Sequence, residues 1–474
     1  MLNLFLHLES EKKLSMNDIK KLMSDSPIVR WSVLLFISIT MFANYYFYDV
    51  LSPLKSIVQE KLLWTSSDYG FFNSAYSISN VFLFMAVIGG VILDKLGIRI
   101  TGFLFTVFMV LGSALTAYGA SDFYLNGGPG FHLMSSFLSG YSPSLKMMSL
   151  GYFFFGLGAE TSVVVFSKAI VKWFKGKELA LALGINLSIG RIGTFAALNI
   201  SPRILKINGD LTIAIWFGTL LLFIGLLTFI AYMFFDKKLD KQVKIDVMDE
   251  TDVFRLSDLG KIITNRSFLY IALLCVTFYS AVFPFIKYAP DLLSNKFGFN
   301  PEDAGWIVSM LPMGTIFLTP VFGAFTDRIG KSASLMIYGS ILLVIVHLTF
   351  ALTRVNPYIP MFLLGVAFSL IPAAMWPSVT KIVEEKRLGS AYGLMFSIQN
   401  IGLWAFPMLI GKVLDISNPT VTPEAIKDGS MVYDYTNPIL MLAFMGVLGV
   451  FFAILLKRDD KVSGFGLEQP NIKK

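Results

Sequence analysis

Two ionisable residues, Glu160 and Arg191, lie inside otherwise apolar stretches of this 474-residue chain. A short polar turn at 172–178 separates the stretches and predicts a helical hairpin. Glu160 stands 15 residues before Lys175 and Arg191 stands 16 residues after it, so both lie roughly 20 Å from one membrane surface if the stretches span a bilayer. An unpaired charge at that depth costs about 3 kcal/mol on insertion scales, and such residues usually mark a substrate or ion path.

The chemistry of this pair favours a ligand that carries two opposite charges. A carboxylate and a guanidinium at one depth on adjacent helices complement a zwitterion, with Glu160 facing an ammonium group and Arg191 a carboxylate. The planar fork of arginine binds a carboxylate through two parallel hydrogen bonds. The alternative is that Glu160 and Arg191 pair with each other and lock the two helices together.

Composition predicts the elements that hold the pair. The chain is 55% hydrophobic and 15% charged, which excludes an ordinary soluble protein and predicts a polytopic membrane protein. Twelve apolar stretches are long enough to span a bilayer, so we expect an all-α fold. The predicted organisation is an N-terminal tail at 1–30, a six-helix bundle at 31–235, a linker at 236–265, a second bundle at 266–456 and a C-terminal tail at 457–474.

Charge placement predicts the orientation and excludes other function classes. Most of the 39 Lys and Arg residues fall at one set of helix ends, so both termini are expected to be cytoplasmic. This bias explains the net charge of +7 without a nucleic-acid partner. The three histidines are scattered and Cys275 is the single cysteine, so neither a metal site nor a cofactor is expected. We find no nucleophile–base set, which argues against an enzyme.

A short motif occurs twice at equivalent places in the chain. The first copy follows the second apolar stretch and the second copy follows the eighth, with residues Gly90, Asp94, Lys95 and Arg99 in the first and Gly323, Asp327 and Arg328 in the second. The two aspartates are 233 residues apart. We call these two segments the gate motifs. Their spacing predicts a duplicated chain.

A second correspondence supports the duplication. Segment 183–193 matches segment 392–402 at an offset of 209 residues, and the 24-residue difference between the two offsets agrees with the longer loop 119–146 in the first half. At this offset Glu160 corresponds to Ser369 and Arg191 corresponds to Asn400. The two charges are therefore predicted to belong to the first half alone.

Twelve spans in two halves, with these motifs after spans two and eight, resemble the major facilitator superfamily. The resemblance implies a monomeric transporter in which the motifs form a gating latch. Asp94 and Asp327 would accept hydrogen bonds at the start of a neighbouring helix. Basic residues of the motifs would pair with acids across the gap between the halves; they are Lys95, Arg99, Arg328 and Lys331.

Local strings resemble one branch of that superfamily, the branch that contains the lysosomal dipeptide transporters. They include 187–193, 281–285, 376–377 and 391–403, and the resemblance covers about residues 31–456. It implies uniport of dipeptides, whose two terminal charges are at most roughly 7 Å apart along the chain. The substrate-binding residues expected on this basis and from their place in the spans are Glu160, Arg191, Trp376, Asn400, Gln399, Tyr279, Tyr76, Tyr48 and Asp49.

Two other functions stay open at this point. A proton-coupled symporter or antiporter of another small organic anion or drug-like solute would use Arg191 for the anion and Glu160 or Asp49 for the proton. A membrane receptor that does not transport is the second alternative, which the two gate motifs argue against. We expect a bacterial plasma membrane; a lysosomal membrane, with an accessory glycoprotein subunit, is the alternative.

Overall fold

The computed structural model describes residues 22–242, 256–384, 387–422, 425 and 431–471, and the regular elements in these ranges are helices. The helices that build the transmembrane region are Pro27–Asp49, Ser66–Ala75, Ile78–Phe82, Met85–Gly119, Pro143–Phe174, Leu179–Asn208, Leu211–Gln242, Arg266–Phe297, Pro301–Ile329, Ser332–Leu352, Tyr358–Ile382, Leu388–Ser417 and Thr436–Ser463. This architecture confirms the predicted all-α fold with two halves.

The second span is the irregular one. Within the described ranges, eleven helices are long and apolar enough to cross a membrane. The second span escapes that description because it is divided among Ser66–Ala75, Ile78–Phe82 and the start of Met85–Gly119. That last helix also contains the third span, beyond a kink at Gly97 (φ 77°). At the second break Phe84 adopts left-handed backbone angles (φ 51°, ψ 40°), which are unusual for a residue with a Cβ.

Helix starts follow local sequence signals at the ends of several spans. Asn300 accepts a hydrogen bond from the backbone of Asp303, and Pro301 takes the first helical position of the eighth span. Ser142 caps the fourth span in the same way, again with a proline directly after it. These caps fix where the loops end and hence the depth of the residues that follow.

The linker and the C-terminal tail lie beside the ends that carry the gate motifs. A short helix at Leu256–Ile263 lies within the linker predicted at 236–265. The last helix continues to Ser463, seven residues beyond the predicted boundary at 456. The chain then turns back, and the side chain of Leu467 is fully buried.

The two halves touch most closely at the end opposite the gate motifs, which we call the closed end. A methyl group built on Gly305 of the eighth span would lie 2.0 Å from the carbonyl oxygen of Leu198 in the fifth span. One built on Gly411 of the eleventh span would lie 2.1 Å from the carbonyl oxygen of Ser66 in the second. Backbone therefore meets backbone at both of these positions, as small residues allow in membrane helices.

Candidate functional site

A cavity of about 670 Å³ lies between the two halves. Its size falls in the range of small-molecule sites. It reaches Gly323, the first residue of the second gate motif, and its wall includes the exposed residues Leu187 and Phe396. The cavity is therefore open toward the end that carries the gate motifs. The expected substrate-binding residues that line it are Glu160, Arg191, Trp376, Gln399, Tyr279, Tyr76 and Tyr48.

Glu160 is held by a tyrosine from the broken second span. The hydroxyl of Tyr76 donates a hydrogen bond to Glu160 Oε1 at 2.7 Å. Tyr76 lies between the helices Ser66–Ala75 and Ile78–Phe82, directly against the fourth span. A methyl built on Gly156 would lie 2.1 Å from the carbonyl oxygen of Tyr76, so only glycine permits this approach. The break in the second span and the close packing at Gly156 together place the Tyr76 hydroxyl within hydrogen-bond distance of the Glu160 carboxylate.

Arg191 is surrounded by aromatic rings. Its Cζ atom lies 5.4 Å from the ring centroid of Tyr45, 5.8 Å from that of Phe283 and 5.1 Å from that of Phe368. These distances are within the range of cation–π attraction. Among the described residues, no carboxylate approaches Arg191 within the 4.0 Å of an ion pair, and Glu160 does not pair with it. The alternative in which the two charges only lock their helices therefore does not describe this conformation.

The second half contributes an aromatic wall. The indole Nε1 of Trp376 donates to the hydroxyl of Tyr279 at 3.1 Å, and the ring of Trp376 stacks on Phe396 at 4.9 Å. Gln399 also lines the cavity, and its Oε1 lies 3.8 Å from the thiol of Cys275. Apart from Glu160 and Arg191, the described residues that line the cavity are uncharged. Sequence reasoning missed Tyr45, Phe368 and Phe396, because aromatic residues are too abundant in this chain to stand out.

Two of the expected substrate-binding residues are not part of the cavity wall. Asp49 is buried at the closed end, where its Oδ1 pairs with Lys287 Nζ at 2.9 Å. Asn400 is buried against the second span, where it accepts a hydrogen bond from Asn80 Nδ2 at 3.4 Å and donates to the carbonyl of Phe396 at 3.0 Å. Both expectations are corrected for the same reason, namely that each side chain is turned toward a partner outside the cavity.

The closed end holds two buried ion pairs that the sequence analysis did not predict. Asp49 of the first half pairs with Lys287 of the second, and Lys55 of the first pairs with Asp291 of the second at 2.9 Å. Each half thus gives one acid and one base to the other. The signal was present in the sequence, since Asp49 and Lys55 end the first span while Lys287 and Asp291 are one helical turn apart in the seventh.

The first gate motif makes its contacts within its own half. Asp94 Oδ1 pairs with Lys168 Nζ of the fourth span at 2.6 Å. Arg99 pairs with Asp236 at 2.9 Å and also contacts Asp240, both of the sixth span. The pairing of Arg99 across the gap between the halves, expected from the sequence, is therefore not formed while the cavity is open at this end.

The second gate motif is covered by the C-terminal tail. Asn471 donates to Asp327 Oδ1 at 2.8 Å, in place of the helix start expected for this aspartate. Glu468 accepts hydrogen bonds from the backbone and the hydroxyl of Ser334, both at 2.8 Å. Its carboxylate also lies 4.0 Å from Lys331 Nζ, so Lys331 too is paired within its own half. Residues of the C-terminal tail, and not of the first half, therefore make these contacts with the second gate motif.

Similar proteins of known fold share this architecture. A nucleoside transporter, NupG, superposes with a TM-score of 0.67 over 90% of this chain and 99% of that one, at 15% sequence identity. A D-xylose–proton symporter superposes with a TM-score of 0.66 over 90% of this chain and 97% of that one, at 13% identity. At these identities the likeness concerns the fold.

Sequence comparison extends the likeness to the family. The lysosomal dipeptide transporter MFSD1 of Homo sapiens is 30% identical over 396 residues, which cover 81% of this chain and 80% of that protein. The Danio rerio protein of the same name is 31% identical over the same coverage. A probable nitrate transporter, NarT, of Staphylococcus epidermidis is 27% identical over 69% of this chain and 78% of that protein. The sequence model of the Major Facilitator Superfamily matches residues 37–402 and 286–472, and this multi-pass membrane protein belongs to that superfamily of transporters.

Proposed function

We propose that this transporter carries dipeptides by alternating access, as a uniporter. The observation that supports this most directly is that Glu160 and Arg191 line one cavity without forming an ion pair with each other. Each charge is thus available to a ligand, and a dipeptide supplies the two opposite charges that match them. Similarity to proteins named lysosomal dipeptide transporters supports the same substrate class.

In this proposal the first half binds the two charged ends of the peptide. Glu160, steadied by the hydroxyl of Tyr76, receives the ammonium group, and Arg191 receives the carboxylate through its paired N–H donors. The uncharged wall of the second half, including Trp376 and Tyr279, faces the peptide side chains. The charged termini, which all dipeptides with free ends share, then supply affinity that is common to many dipeptides.

Movement of the halves would expose the bound peptide to the other side. The cavity is now open at the gate-motif end, and the buried ion pairs of the closed end would separate when the halves rock. The positive-inside bias supports a cytoplasmic location of the gate-motif end. We propose a bacterial plasma membrane for the protein, in which this conformation faces the cytoplasm.

Binding and uptake of alanyl-alanine test the proposal. Purified protein should be stabilised against heat by alanyl-alanine and much less by alanine, and proteoliposomes should take up the dipeptide down its gradient. Glu160→Gln and Arg191→Gln should each weaken binding by about tenfold or more, since a charge-assisted hydrogen bond contributes about 1.5–3 kcal/mol. Unchanged binding in both variants would refute the proposal.

A matched control is available on the same helix as Arg191. Arg203 is exposed near the closed end of the fifth span, so Arg203→Gln makes the same change of charge away from the cavity. It should leave the binding of alanyl-alanine unaltered. Equal losses in Arg191→Gln and Arg203→Gln would mean that net charge, not the cavity, determines binding.

A proton-coupled carrier of another organic anion is the second candidate. The observation in its favour is that, within the described ranges, the half-buried Glu160 carboxylate accepts one hydrogen bond, which comes from the neutral Tyr76. Arg191 would bind the anion, and Glu160 would exchange a proton with the open cavity. An imposed pH gradient distinguishes the two: it should drive accumulation by a coupled carrier, and it should not drive accumulation of alanyl-alanine by a uniporter.

A further inference from the structure

The rings around Arg191 come from both halves of the transporter. Tyr45 belongs to the first span, whereas Phe283 and Phe368 belong to the seventh and tenth. The guanidinium therefore reaches across the cavity, and its nearest ring is Phe368 at 5.1 Å. Phe368 directly precedes Ser369, the residue that corresponds to Glu160 in the duplicated sequence. The first half thus carries the Glu160 carboxylate at this position, whereas the second half places the Phe368 ring beside Arg191.

The two rings of the second half are themselves held firmly. Phe283 and Phe368 pack edge to face at 5.5 Å, Phe283 stacks on Tyr279 at 5.6 Å, and Phe368 stacks on Phe278 at 5.8 Å. Phe368 is only 2% exposed. Rings packed in this way have little freedom to rotate, so they offer a fixed surface to a long and otherwise flexible side chain.

A ring face attracts a cation without accepting its N–H groups in strong hydrogen bonds. Arg191 is thereby stabilised in the cavity while its paired donors stay available for a carboxylate. An acidic partner would have held the side chain equally well but would have competed with the substrate. We propose that Phe283 and Phe368 are positioning residues that hold Arg191 ready for the substrate carboxylate, and that they set the preference for a free carboxylate over its neutral amide.

This inference rests on the proposed function, and the test separates the two. Binding is measured by thermal shift with alanyl-alanine, its C-terminal amide and its N-acetyl form, for the wild type, Phe283→Leu and Phe368→Leu. In the wild type the free acid should bind more tightly than either derivative. In each leucine variant the ratio of acid to amide affinity should fall about tenfold, or about 1.4 kcal/mol. The preference over the N-acetyl form, which depends on Glu160, should persist.

Two further variants exclude a general loss of packing. Phe283→Tyr keeps a ring and should keep the wild-type ratio of acid to amide affinity. Phe396→Leu removes a ring that lines the same cavity and stacks on Trp376, so it should leave that ratio unchanged even if overall affinity falls. An unchanged ratio of acid to amide affinity in both Phe283→Leu and Phe368→Leu would overturn this inference but not the proposed function. An equal fall of that ratio in Phe396→Leu would do the same. A wild-type protein that binds none of the three compounds would overturn the proposed function, and this inference with it.

Discussion

Lys55 and Asp291 form a buried ion pair that joins the first half of the transporter to the second. Lys55 Nζ lies 2.9 Å from Asp291 Oδ2, and the two side chains are 0% and 3% exposed. Lys55 also donates to Gln59 at 2.6 Å and lies 4.5 Å from the ring of Tyr433, so the charge is fully surrounded. Together with the Asp49–Lys287 pair, it closes the cavity at the end opposite the gate motifs.

Breaking one of these pairs should open the closed end. A buried charge whose partner is removed costs about 3–5 kcal/mol, and in an open conformation water would satisfy that charge. Lys287→Met should therefore shift the population toward conformers that are open at this end. Leu51, which is 4% exposed there, is a suitable reporter as Leu51→Cys in a Cys275→Ser background. We expect its reaction with a hydrophilic maleimide to become about tenfold faster or more.

A charge exchange provides the control for that experiment. The double variant Asp49→Lys with Lys287→Asp restores opposite charges at the same two positions. It should return the reaction rate of the reporter toward that of the unaltered background. A double variant that reacts as fast as Lys287→Met would show that the ion pair does not keep this end closed.

Gly156 should tolerate no side chain, because the second span passes directly over it. A methyl at this position would lie 2.1 Å from the carbonyl oxygen of Tyr76, so Gly156→Ala must displace the backbone that carries the hydrogen bond to Glu160. We expect a loss of about 1–3 kcal/mol in stability, seen as a lower melting temperature of the detergent-solubilised protein. Gly184→Ala is the matched control, since a methyl there meets no atom within 4 Å. A similar drop in both variants would contradict this reading.

The two halves, and the presence of Glu160 and Arg191 in one cavity, could be predicted because they follow from helix length, repeat spacing and the cost of intramembrane charge. The sequence places Tyr76 in an apolar stretch, but the break that turns it toward Glu160 depends on packing against Gly156. Helix periodicity assumes a continuous helix, so it does not predict such a break.

Sequence reasoning did not predict the ion pairs that join the two halves. Asp49 was expected in the cavity from its place in the first span, and that place alone does not reveal which way a side chain points. Its hydrogen-bond partner Lys287 lies 238 residues away in the sequence. The repeat spacing pairs Asn400 with Arg191, yet equivalent positions in the two halves need not face the same cavity.

The turn between the fourth and fifth spans should give a measurable pH dependence. Arg30 donates two short hydrogen bonds to Glu178, at 2.8 and 2.9 Å, and these lower the pKa of the Glu178 carboxyl below its usual range. A lowered pKa in the folded state means that the pair stabilises the protein above the unfolded pKa of about 4.3. This stabilisation is lost as the pH falls through the lowered value.

Melting temperatures of the wild type and Glu178→Gln should therefore differ by a constant amount from pH 8 down to about pH 5 and converge below about pH 4. Glu60→Gln, which removes an exposed carboxylate near the closed end, is the control for the loss of one negative charge. A difference between wild type and Glu178→Gln that grows as the pH falls would have the wrong sign for this ion pair.

The C-terminal tail should contribute to stability through Glu468. Lys331, the residue before the ninth span, offers that helix no side-chain cap, and the Glu468 carboxylate takes this role from the tail by binding the backbone N–H of Ser334 at 2.8 Å. Loss of a helix cap costs about 0.5–2 kcal/mol, so Glu468→Ala should lower the melting temperature of the purified protein. Gln469→Ala is the neighbouring control, because the bond that Lys381 makes to residue 469 at 2.9 Å uses the backbone carbonyl and survives the change. If Gln469→Ala lowered the melting temperature as much as Glu468→Ala, the cap would not be the reason that the tail stabilises the fold.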